Sequence, residues 1–232
     1  MAARNQSHTQ KPTGFLHKVA VCFVTVTLSG LAIAVFLMIQ PQSLGDIDGL
    51  DGSDSDGRDV AAVLRESQQR QIPVTLTEEE INHWLAGTLE VKQGGMFGKS
   101  MEFKRVAVRL TDGQAEVVME RELASRPFTV SMFVSIEQVR DGDRLRTELN
   151  LHGSARRSLP AVLMGGRFGR MIVPQGFLRL VVPSYESLAE ALLEELNNGF
   201  SNMVIIRIED KKLVLDPRAP RRAQGTLPGE VE

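Results

Sequence analysis

An uncharged run of twenty-one residues, VAVCFVTVTLSGLAIAVFLMI, fills positions 19–39 and limits this chain more than any other stretch. As a helix it is about 31 Å long at about 1.5 Å per residue, matching a hydrocarbon core of about 30 Å. It is therefore read as a transmembrane anchor, with everything after it on one side of a membrane. Arg4, Lys11 and Lys18 precede the run with no acid among them, and the first acid after it is Asp46. Basic residues stay on the cytoplasmic side, so the N-terminus is expected inside and the remainder outside, as in a bacterial inner-membrane protein with a periplasmic domain. The competing reading is a signal peptide cleaved after Ala34. Ala32-Ile33-Ala34 is a small-x-small triplet, although residues 35–39 stay apolar beyond it. Cys22 is the only cysteine and lies inside the run, so no intrachain disulfide can form.

The expected organisation is a cytoplasmic tail (1–18), the anchor (19–39), an Asp/Gly-rich linker (40–59), an extracytoplasmic domain (60–216) and a disordered tail (217–232). A net charge of −2 gives no reason to expect a nucleic-acid partner. The linker has little to bury and reads as a solvated spacer. Its Asp54-Ser55-Asp56-Gly57 imitates part of a calcium loop. With Gly57 at the sixth position, however, the first falls on Gly52 and the twelfth on Val63, where ligands belong.

Within the domain, Asp59 can cap a helix with Val60, Val63 and Leu64 on one face, ending near Gln71. Thr77 to Glu80 has capping-box spacing, with Leu76 and Ile81 placed as a hydrophobic staple. Ile81, Trp84, Leu85 and Leu89 follow as an apolar stripe, while Asn82 and His83 fall off it and are expected in solvent. The stretch GGMFGKS (94–100) ends like a phosphate loop, but the required first glycine would be Gln93, so a turn is expected. Four strands with period-two alternation come next, turning at Asp112-Gly113 and Asp141-Gly142-Asp143. One face carries Val106, Val108, Leu110, Val117, Met119, Phe128, Val130, Met132 and Val134. The other carries Arg105, Arg109, Glu116, Glu120, Ser131 and Ser135.

From 154 to 183 there is no acid. Arg156, Arg157, Arg167, Arg170 and Arg179 are interleaved with apolar residues, and Gly165-Gly166 and Gly169 are read as breaks in regular structure, with Pro160, Pro174 and Pro183 punctuating short segments. Either the arginines contact lipid headgroups or a partner, or they are solvated charges on a connector that finishes the core. A helix opens at Pro183-Ser184 with Leu188, Leu192 and Leu196 inward, and stops at Asn197-Asn198-Gly199. A last hairpin turns at Asp210-Lys211.

The expected fold class is thus α+β: one N-terminal transmembrane helix plus a curved antiparallel sheet packed on two or three helices. The sheet comprises a four-strand meander and a C-terminal strand pair. The four histidines have no metal-ligand spacing, and no nucleophile or dinucleotide motif is present, so no catalytic residue, metal or cofactor is expected. The order of anchor, VTLTEEEINHWL, meander, GRMIVPQGFL, helix and VIIRIEDKKLVL resembles small bacterial membrane-anchored proteins of the YpmS type. More loosely, it is similar to tubular lipid-binding proteins such as LmeA. The matching residues are Leu76, Thr77, Glu80, Asn82 and Asp210, and the layout covers most of 72–215. The resemblance implies an apolar groove and a lipid-like ligand. Trp84, Phe128, Val130, Met132, Val134 and Leu188 would line that groove. The alternative is a tethered interaction subunit of a cell-envelope complex, in which the same residues close a filled core.

Overall fold

The computed structural model describes residues 14–50, 58–93, 103–123, 126–141, 144–150, 164–192, 200 and 203–218. Arg156, Arg157, the turn expected at 94–100, Asp54-Ser55-Asp56-Gly57, the Asn197-Asn198-Gly199 stop and both termini lie outside them. Helix α1 (Phe15–Ile39) is 25 residues long, buries none of them, and is long and apolar enough to cross a membrane. Inside it the hydroxyls of Thr25 and Thr27 donate to the carbonyls of Val21 and Phe23, so neither needs water.

Local signals place the next elements. Asp59 accepts the Ala62 N–H at 3.1 Å and opens α2 (Val60–Arg70), which ends where Gln71 turns left-handed at φ 53°. Strand β1 (Val74–Thr77) runs straight into α3 (Glu78–Gln93). The capping box forms as expected: the Thr77 N–H donates to Glu80 at 2.8 Å, and the Glu80 N–H donates to the Thr77 hydroxyl at 3.2 Å.

The large antiparallel sheet contains β2 (Phe103–Thr111), β3 (Gln114–Leu123), β4 (Arg126–Asp141), β5 (Arg144–Asn150), β6 (Met164–Phe168) and β7 (Met171–Pro174). The expected meander is present in its first four strands. The C-terminal pair, β8 (Ile205–Glu209) and β9 (Lys212–Asp216), also forms, but β9 additionally pairs with β1 to make a separate three-stranded sheet. Two backbone bonds join the sheets, from the Gly113 N–H to Ile208 O (2.9 Å) and from the Lys211 N–H to Leu110 O (3.3 Å). The fold is α+β, as anticipated.

The β6–β7 hairpin comes from the stretch in which glycines read as breakers. Here glycine permits pairing instead. A Cβ at Gly166 would collide with the backbone of Ser131, so only glycine lets β6 close onto β4. Strand β4 is long enough to serve three partners: its residues 126–134 pair with β3, 130–132 with β6 and 135–141 with β5. A 3-10 helix (Gln175–Leu180) and α4 (Val182–Ala191) follow. Leu188 of α4 and Leu192 at its C-cap are buried as expected, and Leu196 lies outside the described residues.

Two apolar clusters hold these layers together. One joins Val106, Met119, Val130 and Met132 of the large sheet to Leu85 and Leu89 of α3 and to Tyr185 and Leu188 of α4. The other surrounds the small sheet and α2, with Leu76, Leu110, Ile206 and Leu215 at its centre. Ile81, Trp84 and Val108 touch both clusters, so one continuous core results.

The segment expected to be a solvated spacer is packed over residues 42–50. Ile47 is 5 % exposed and sits with Leu44 and Leu50 on Ala107 and Val118, on the second face of the large sheet. Composition misled because Leu44, Ile47 and Leu50 are spaced by aspartates and glycines, which hides the apolar stripe. Gly49, at φ 81°, is wedged against the Glu79 backbone where no Cβ would fit.

Candidate functional site

Of the residues expected to line a groove, alternation places Phe128, Val130, Met132 and Val134 on one face of the sheet, where Trp84 of α3 and Leu188 of α4 join the same apolar cluster. Val130, Met132 and Leu188 are 4, 7 and 9 % exposed, and Phe128, Val134 and Trp84 pack against the same cluster. Phe168, Tyr185 and Leu178 fill the space between them. The Tyr185 hydroxyl donates towards two strand carbonyls, Val117 O at 2.9 Å and Val130 O at 3.2 Å, and fastens α4 to the sheet. Burial first, and the nearby Glu116 charge second, push its pKa well above the ordinary tyrosine value, so it stays neutral. A cleft of about 500 Å³ opens elsewhere, between α2 and α3: charged Arg58, Asp59, Glu79 and Glu80 line it together with Val60 and Trp84, and its walls are more apolar than polar. There the Arg58 hydrogen bond holds the Glu80 carboxyl below its usual range against a smaller opposing effect of burial.

Of the five arginines, Arg156 and Arg157 lie outside the described residues, and the other three do not act as a set. Arg167 pairs in register with Ser131 and lies on the second face, its guanidinium 5.7 Å from the Phe133 ring centre and its Nε 3.4 Å from Glu116. Arg170 and Arg179 are exposed. Arg170 stands at the β6–β7 bend, where its N–H donates to Leu37 O (3.0 Å) and its guanidinium to the Gln40 side chain (3.3 Å). Gly169 makes that junction possible. It is left-handed at φ 53°, and a Cβ there would strike the carbonyls of Leu37, Met38 and Gln40. Met38 packs on the core, and the Gln42 N–H donates to the Thr129 hydroxyl at 2.9 Å. The end of α1 is thereby fixed to the domain.

The second face holds a buried charged network. Glu116, 4 % exposed, accepts from Arg109 and from the Ser131 hydroxyl, both at 2.5 Å. Arg109 also reaches Ser43 O (3.0 Å) and Asp46 (2.9 Å). For Asp46 the cost of burial is outweighed by its hydrogen bond and charge contact with Arg109, which leave its pKa below the ordinary value. A second hub ties the same segment to α3. Glu78 is 0 % exposed and accepts the Asp48 N–H (2.9 Å), the Leu110 N–H (2.6 Å) and the Lys211 ammonium (2.6 Å).

Asn82 corrects an expectation. It is 1 % exposed rather than solvated, because its amide accepts the Val108 N–H (2.6 Å) and donates to Val108 O and Asp48 O. Together Glu78 and Asn82, one helical turn apart, satisfy the outer edge of β2 as another strand would. His83 is exposed, as anticipated.

The sequence did carry a signal for part of this network. Across the two-residue turn at Asp112-Gly113, counting outwards puts Arg109 opposite Glu116, the register observed. Nothing local pairs Asp46 or Lys211 with their distant partners. Among the described residues no group of His, Cys, Asp or Glu could hold a metal ion. No protein family, curated protein or solved structure matches this chain.

Proposed function

We propose that the chain is a single-pass membrane protein whose domain, outside the cytoplasm, acts without catalysis as a tethered interaction subunit of a cell-envelope complex. The observation that carries this reading is the filled space under the sheet. Tyr185, Phe168 and Leu178 are buried in one apolar cluster with the residues that would line a groove for a lipid-like ligand. Polar side chains outside that core are spent on structural bonds: Glu78, Asn82, Arg109 and Glu116 each hold backbone or a partner charge. Fixing the domain to the end of α1 supports the same reading, since a subunit that docks laterally gains affinity from a preset orientation.

Native mass spectrometry of the full chain, released from its own membranes in detergent, tests this. A complex with one protein partner at fixed stoichiometry is the expected result. A monomer carrying one lipid that survives collisional stripping would overturn it and restore the groove.

A further inference from the structure

We infer that the β6–β7 bend and the 3-10 helix after it lie on the phospholipid surface, with Ile172, Phe177 and Leu180 in the interface and Arg170 and Arg179 on lipid phosphates. These three apolar side chains are 46, 50 and 74 % exposed. Outside α1, Ile72 is the only other large apolar side chain of comparable exposure among the described residues. Phe177 and Leu180 stand three apart in a 3-10 helix, where such positions eclipse, so they form one ridge with Arg179 beside it. Concentrated exposure of this kind is a surface awaiting a partner.

Position identifies the partner. The bend is hydrogen-bonded to the last turn of α1 through Arg170 and Leu37, so the exposed ridge begins where the apolar span ends. Charge agrees. No acid occurs between Glu148 and Glu186, and arginine beside exposed aromatic and aliphatic residues is the pattern of segments that rest in the headgroup layer.

The inference rests on α1 being a span, and the experiment separates the two. Phe177→Trp and, independently, Leu180→Trp are introduced into the full chain and reconstituted in vesicles of phosphatidylcholine brominated in its acyl chains. The unsubstituted chain, whose single tryptophan is Trp84, supplies the background. The expected result is loss of the added tryptophan's emission at both positions, with all three proteins retained in alkaline carbonate. Retention with no loss of emission overturns the inference and leaves the anchor standing, as it would if a protein covered the ridge. Release by carbonate removes the anchor and the inference with it.

Discussion

On one face of the large sheet Val106, Met119, Val130 and Met132 meet the apolar sides of α3 and α4. On the other, Arg109, Glu116, Thr129 and Ser131 meet the segment 42–50, and they are as deeply buried. The first face gains stability from area removed from water, without directional demands. The second removes charges from water and recovers that cost only through pairing at short range. A core of the first kind tolerates changes of shape, whereas one of the second kind tolerates loss of neither partner.

Breaking the polar face should therefore do the most damage. Glu116→Ala strips Arg109, Ser131 and Arg167 of their shared acceptor, and should destabilise the domain by about 3–5 kcal/mol. Arg109→Met with Glu116→Leu removes both charges and should recover most of that loss; thermal unfolding of the full chain in detergent, followed by circular dichroism, measures both. If the single and the double substitution cost the same, pairing is not what stabilises this face. On the apolar face Met119→Ala, at a site 1 % exposed, should cost about 2–5 kcal/mol by the same measurement, and no second substitution of a neighbour to alanine should restore it.

The patterns that repeat locally were legible before any coordinates. The capping box at Thr77 and Glu80, the Asp59 cap, the meander and the turns at Asp112-Gly113 and Asp210-Lys211 depend on neighbours a few residues apart, and each forms as read. Strand alternation also separated the two faces correctly. What alternation cannot say is whether a polar face is wet. Arg109 and Glu116 look like a solvated pair until residues 42–50 are laid across them, and that segment's apolar residues are masked by aspartate and glycine. Asn82 was hidden for a related reason, since an amide that replaces a missing strand partner carries no periodic mark. The β6–β7 hairpin escaped because glycine signals both a break and a close approach, and only the Ser131 backbone beneath Gly166 decides between them.

A smaller test concerns Gln42, where the polar face is left incomplete. Both polar atoms of the Gln42 side chain are buried without a protein partner, although its backbone N–H is bonded to Thr129. Gln42→Met should raise stability by about 1 kcal/mol, because it replaces a desolvated amide with an apolar chain of similar length. An unchanged or lower unfolding temperature would mean that water completes the amide in solution.

Acid should have the gentlest effect, through a carboxylate at the start of α3 that lies on neither face of the large sheet. Glu80 has a folded-state pKa below its ordinary 4.5, chiefly through its bond to Arg58. A depressed carboxylate binds fewer protons folded than unfolded, so its contribution is complete above about pH 4.5 and is lost as pH falls through the folded value. The unfolding temperature should drop as pH falls below about 4.5 in the natural protein, and less steeply in Glu80→Gln. Parallel curves would assign the acid sensitivity to other carboxylates, Asp46 first among them.

The junction at Gly169 has a mechanical corollary. A helix in a bilayer chooses its tilt to match the local hydrocarbon thickness. Because Arg170 at the bend is hydrogen-bonded to Leu37 O and Gly169 lies close against the carbonyls of the last helical turn, such a tilt would carry over to the sheet. With α1 in a bilayer, thicker or thinner surroundings would rock the domain like the hand of a gauge, and what it presents sideways would depend on the lipids around its stem.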